Sequence, residues 1–129
     1  MSNNTIIQGE AKSLPFLLKS RSTGRAINLT GATFLLWIKK LKEDVAPVAS
    51  KADSVFDKAL VASGRVSVWL TASDTYQLAP WTYYGELRVS LTGTPTPTYK
   101  IPFELKIETT GIPDGLVDTG VSTTVAELF

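Results

Sequence analysis

Asp53 and Asp57 are the residues with the best claim to chemistry. Four positions apart, they would share one face of a helix or of a strand. Two carboxylates on one face are the raw material of general acid–base work. Such a pair also needs a concave pocket that perturbs its pKa values. The residues around it read instead as a loop with two solvated acids. Asp74 follows Ser73 in a turn and reads as a helix cap or an Asx-turn residue. The chain has no His and no Cys. The usual nucleophile–base pairs therefore lack their base. Disulfides lack their cysteines, and most zinc and copper sites lack their ligands. No phosphate-cradling Gly-rich loop and no metal-binding loop pattern occurs. The expectation is a protein that is not an enzyme and carries no cofactor or metal.

The elements that would position these residues are strands. At 129 residues and 43% apolar, the chain suits one domain with a real core. Thirteen basic and twelve acidic residues leave a net charge of +1, which does not ask for a polyanionic partner. The N-terminal Met1-Ser2-Asn3-Asn4-Thr5 lacks a basic region followed by an apolar run, so it does not read as a secretory signal. The longest strongly apolar run, Phe34 to Ile38, is far short of the ~20 residues of a membrane helix. A soluble chain made in a cytoplasm is expected.

Thr5 to Glu10 is a short extended segment closed by Gly9. Ser13 to Ser20 alternates Leu14, Phe16 and Leu18, and Pro15 inside it suggests an edge strand or a broken one. Asn28 to Gly31 reads as a tight corner feeding a long strand. On that strand Phe34, Leu36 and Ile38 face one way, and Leu35 and Trp37 the other. Lys39 to Asp44 reads as a solvated strand end and loop, not as a nucleic-acid site. Val45 to Leu60 is read as two short strands around Ala52-Asp53-Ser54. A helix over Lys51 to Ala62 is the alternative, because Ala52, Val55, Phe56, Ala59 and Leu60 also fit a helical stripe.

Three strands with strict alternation follow. Arg65 to Thr71 points Val66, Val68 and Leu70 inward. Tyr83 to Leu91 points Tyr83, Leu87, Val89 and Leu91 one way. Thr98 to Ile107 points Tyr99, Ile101, Phe103, Leu105 and Ile107 inward. Ala72 to Leu78 reads as a short helical turn, and Thr92 to Pro97 as a hairpin loop. Many short strands joined by Gly, Pro and Ser turns predict an all-β fold, a single antiparallel sandwich over residues 1–108. Residues 109–129, with Gly111, Pro113, Gly115 and Gly120, read as an extended C-terminal tail whose tip is apolar at Val125, Leu128 and Phe129.

Several of these signs occur together in a known family. Gln8-Gly9-Glu10 precedes the first strand, Gly24 sits in the first turn, and Asn28-Leu29-Thr30-Gly31-Ala32 opens the long strand. Gly64-Arg65-Val66 then leads to Leu70-Thr71-Ala72-Ser73-Asp74-Thr75. Residues 6 to about 107 thus resemble the immunoglobulin-like N-terminal domains of phage baseplate upper proteins and similar small phage tail proteins. The chain departs from that pattern at Trp81-Thr82-Tyr83, where the family has Gly before the Tyr. The resemblance implies an immunoglobulin-like sandwich without catalytic residues. It also implies a virion structural part of the tail or baseplate, assembled in the host cytoplasm.

If the second and fifth strands pair, as they do in such a sandwich, Leu35, Trp37 and Trp69 meet on one outer face. Exposed Trp is characteristic of interaction surfaces. Either another subunit covers this face, or the chain's own tail or the Val45–Leu60 segment does. Leu35, Trp37, Trp69, Val125, Leu128 and Phe129 are therefore the candidate interface residues. The expected partners are other virion structural proteins and copies of this chain, with no nucleic acid and no membrane. The alternative is a module that binds host-surface carbohydrate or another receptor, stacking sugars on Trp37, Trp69, Trp81, Tyr83 or Tyr84.

Overall fold

The structure is a computed structural model that describes residues 4–91, 98–109 and 120–128. Among the described residues ten strands form two sheets. In chain order they are β1 (Asn4–Ile7), β2 (Lys12–Ser20), β3 (Thr33–Lys39), β4 (Ala49–Lys51), β5 (Phe56–Asp57) and β6 (Arg65–Leu70). After the short helix α1 (Ala72–Tyr76) come β7 (Trp81–Ser90), β8 (Thr98–Glu108), β9 (Gly120–Val121) and β10 (Thr124–Leu128). The larger sheet runs β4-β3-β7-β8-β1-β9, and the smaller runs β10-β2-β6-β5. The triplets β3-β7-β8 and β2-β6-β5 have the strand order of the two immunoglobulin sheets. The expected all-β sandwich is thus the fold.

Alternation accounts for the core. Phe34, Leu36, Ile38, Leu87, Val89, Ile101, Leu105 and Ile107 line the inner face of the larger sheet. Leu14, Phe16, Leu18, Val66, Val68 and Leu70 meet them from the smaller one. Phe16 and Phe103 join the sheets edge-to-face, with centroids 5.5 Å apart. The Phe103 ring lies over Gly85, its partner on β7, so closely that a Cβ there would enter the ring. At the corner before β3, Asn28 Oδ1 accepts from the Thr30 amide at 3.0 Å, and Gly31 takes φ 82°.

Two motifs that carry the family resemblance meet in space. Gln8 donates to the carbonyls of Tyr76 and Leu78, and the Gly9 amide donates to Thr75 Oγ1. Thr75, fully buried, donates back to the Glu10 carbonyl at 2.7 Å. Thr71 and Asp74 form the reciprocal capping box that starts α1, as the cap reading of Asp74 expected. These residues are a joint between the β1–β2 corner and α1.

Four expectations need correction. First, β3 and β6 do not pair. The strand that pairs with β6 is β2, Leu14 opposite Val68, so the long strand is the third of the immunoglobulin order and belongs to the other sheet. Second, the domain does not end at Glu108. β9 pairs with β1, and β10 pairs with β2 over five residues. Thr124 and Leu128 point inward, at 8% and 5% exposure. The alternation Thr124, Ala126, Leu128 marks a strand, which an apolar-tip reading overlooked. Third, the sheets are not wholly antiparallel, because β1–β8 and β10–β2 run parallel. Fourth, β2 is an edge only until Phe16, where β10 joins it. Between Val45 and Leu60 the strand reading is the better one: β4 and β5 flank a 3-10 turn at Asp53–Val55. The 92–97 loop, residues 110–119 and Phe129 lie outside the described residues.

Candidate functional site

Asp53 and Asp57 are not brought together for chemistry. Asp53 Oδ1 accepts from the Phe34 amide at 2.8 Å, and Oδ2 takes the Lys58 ammonium at 2.6 Å. The Lys58 hydrogen bond, helped by the Phe34 amide against a burial penalty, holds the Asp53 carboxyl below its usual range. Asp57 accepts from the Ala59 amide two residues on, an Asx turn. One acid ties a loop to β3, and the other shapes the loop itself.

The candidate interface residues divide over the molecule. Leu35 and Trp37, half-buried, stand on the outer face of the larger sheet. Trp69 and Val125, 56% and 53% exposed, stand on the outer face of the smaller sheet. Leu128 is a core residue. The single Trp face expected from the strand count is therefore two opposite faces.

The face around Trp37 is built by register. Leu35, Arg88 and Lys100 form one cross-strand row on β3, β7 and β8; Trp37, Glu86 and Pro102 form the next. Lys39, Tyr84 and Glu104 form the third. Glu86 sits at the centre of this array. It faces outward, yet is only 4% exposed, because its neighbours close over it. The ammonium of Lys39 lies 3.4 Å from Oε2, while Arg88 Nε and the Lys100 ammonium lie 3.3 and 3.9 Å from Oε1. Arg88 also stacks on Trp37, its guanidinium carbon 3.9 Å from the ring centroid. Lys39 approaches the same ring at 5.4 Å and that of Tyr84 at 6.0 Å. Lys39 itself is only 8% exposed, so the solvated-loop reading fails at this residue.

This arrangement is rigid and chemically two-sided. A carboxylate with three cations and a clamped Trp presents flat apolar area beside positive charge, with little side-chain freedom left to lose on contact. Alternation along β7 sets Tyr84, Glu86 and Arg88 on the face opposite Tyr83, Leu87 and Val89. Only the register of β3 against β7 puts Trp37 opposite Glu86.

Strand edges are less open than faces. The Glu108 carbonyl accepts from Gln8 on the β1 side, and the Glu104 carbonyl accepts from the Asn4 side chain there. Alternation turns the Pro102 nitrogen toward the same side, where β1 pairs only with Lys106 to Glu108. Pro15 likewise faces the side where β10 has not yet begun. Both strand prolines thus remove a donor from an uncovered edge. β4, β5 and β9 are edges of two or three residues. Among the described residues β10, five residues long, is the longest strand at the end of either sheet.

Among the described residues no helix is long and apolar enough to cross a membrane. No family model matches this chain, and no curated protein or solved structure matches it either.

Proposed function

We propose that this chain is a non-enzymatic structural module of a phage tail or baseplate. It docks onto neighbouring virion proteins, other chains or further copies of itself, through the outer face of the larger sheet. The observation that carries the docking reading is the Trp37–Glu86–Arg88–Lys100 array: a pre-set aromatic and cationic surface on a sheet face, beside edges blunted by proline and by shortness. Pre-organised Trp and Arg are the residue types that dominate interface energies. The virion assignment is supported by the resemblance, whose motifs here are corners and a capped helix.

The test is incorporation. In the phage that encodes it, the chain should co-purify with assembled particles. Lys100→Glu changes an exposed side chain of the array, and should lower incorporation while leaving the melting temperature within a few degrees. Particles that lack the chain altogether would refute the virion assignment. Full incorporation of the variant would refute the docking face.

A further inference from the structure

Of the aromatics open to a sugar-stacking reading, Trp37 is clamped by Arg88 and Tyr83 is buried. Trp69 stands exposed on the outer face of the other sheet. Trp81 differs. It forms the ridge between two adjoining depressions of about 420 and about 320 Å³, within the ~300–1,000 Å³ range of small-ligand sites.

The ridge is fixed in place. The Trp81 indole N–H donates to the Lys40 carbonyl at 3.3 Å, which leaves the ring only its faces to offer. The Lys40 ammonium covers the ring at 4.8 Å, yet Trp81 remains 47% exposed. Tyr83 forms a floor shared by both depressions, and its hydroxyl is locked to the Ala79 carbonyl at 2.6 Å. Along the walls, Lys42 and Glu104 stand on one side of the ridge and Gln77 and Asp74 on the other. Donors and acceptors are thus both present; Asp74 is already paired with Lys51 and Thr71, which leaves Lys40 and Lys42 facing Glu104. Two ammonium groups beside one carboxylate do not make the cationic cluster that a polyanion needs. An extended peptide finds β4 as the nearest strand edge, only three residues long.

We propose that this groove binds a neutral oligosaccharide, with one sugar ring on the free face of Trp81 and its neighbours in the two depressions. The groove borders the docking face along Tyr84 and Glu104 but includes none of Trp37, Glu86, Arg88 and Lys100, so either site can fail alone.

The test is NMR titration of the full chain with cellohexaose, maltohexaose and chitohexaose, following the Trp81 indole N–H and, in every variant, the backbone amides of Lys40, Gln77 and Thr82 that line the groove. At least one sugar should give a saturable shift with a Kd of about 1 mM or tighter. Trp81→Ala should weaken that binding by about tenfold or more, Trp81→Tyr by less, and Trp69→Ala and Trp37→Ala not at all. If Trp81→Ala does not fold, Trp81→Tyr and Gln77→Ala serve in its place, each with weaker binding expected. No Trp81 shift with any of the three sugars up to about 10 mM would overturn the proposal. So would full affinity in the Trp81 variants, or binding confined to an oligogalacturonate added as a charged control.

Discussion

Arg88 does two things at once: it stacks on Trp37 at 3.9 Å and donates to Glu86 at 3.3 Å. The cross-strand pairing Trp37↔Glu86 makes this possible, because it sets Arg88 diagonally beside the ring. An outward carboxylate is thereby closed in by its own neighbours, and an outward Trp is held in one orientation.

Glu86→Gln should therefore be costly although Glu86 stands on an outer face. It leaves Lys39, 8% exposed, and Arg88 without their counter-charge. Removing one member of a buried pair costs about 3–5 kcal/mol, and this partly solvated array should lose roughly 2–3 kcal/mol. Urea unfolding measures it. A midpoint equal to that of the parent would mean the cluster is solvated and loosely held.

The C-terminal strand should be part of the folding unit. Leu128→Ala removes a core side chain and should cost about 2–5 kcal/mol, and a chain ending at Glu108 should unfold far more easily than the whole. A truncated chain with an unchanged melting temperature would mean that β10 is dispensable and free to pair elsewhere.

Two glycines should resist substitution for different reasons. Gly31 takes φ 82° at the corner into β3, so Gly31→Val should cost more than ~1 kcal/mol. Gly85→Ala puts a methyl into the Phe103 ring, which Phe16 pins from the other sheet. It should lower the melting temperature by at least as much. Parent-like melting in either variant would contradict the assigned geometry.

Acid should destabilise the fold through Asp53 and Asp74. Lys58 holds Asp53 below its usual range. For Asp74, burial acts to raise the pKa, but hydrogen bonds from Lys51 and Thr71 outweigh it. Both groups bind protons more weakly folded than unfolded, so their stabilisation is present above about pH 4, the unfolded range. It is lost as pH falls through the lower folded values. Asp74→Asn should flatten the acid limb of a pH–stability profile. A limb of unchanged steepness would remove Asp74 from the account.

How far the chain could be read follows from what each signal measures. Alternation reports which side of a strand is apolar, and it placed Val66, Val68, Leu70, Ile101 and Leu105 correctly. The corner at Asn28–Gly31 and the cap at Asp74 were legible because local backbone chemistry decides them. Sheet partners are set by long-range packing, which alternation does not encode. Counting β3 as the second strand therefore put Trp37 and Trp69 on one face. β10 was hidden because Val125 and Phe129 drew attention to an apolar tip instead of the Thr124–Ala126–Leu128 period. The central array was illegible for the same reason: Trp37 and Glu86 are 49 positions apart and meet only through register.

The most direct measurement of the central claim is particle density in which this chain and its neighbours are traced. The account predicts a neighbouring protein seated on Trp37, Arg88 and Lys100, with the Trp69 face contributing less. Density in which that face is bare to solvent, and every contact runs through the Trp69 face or the β10 edge, would contradict it.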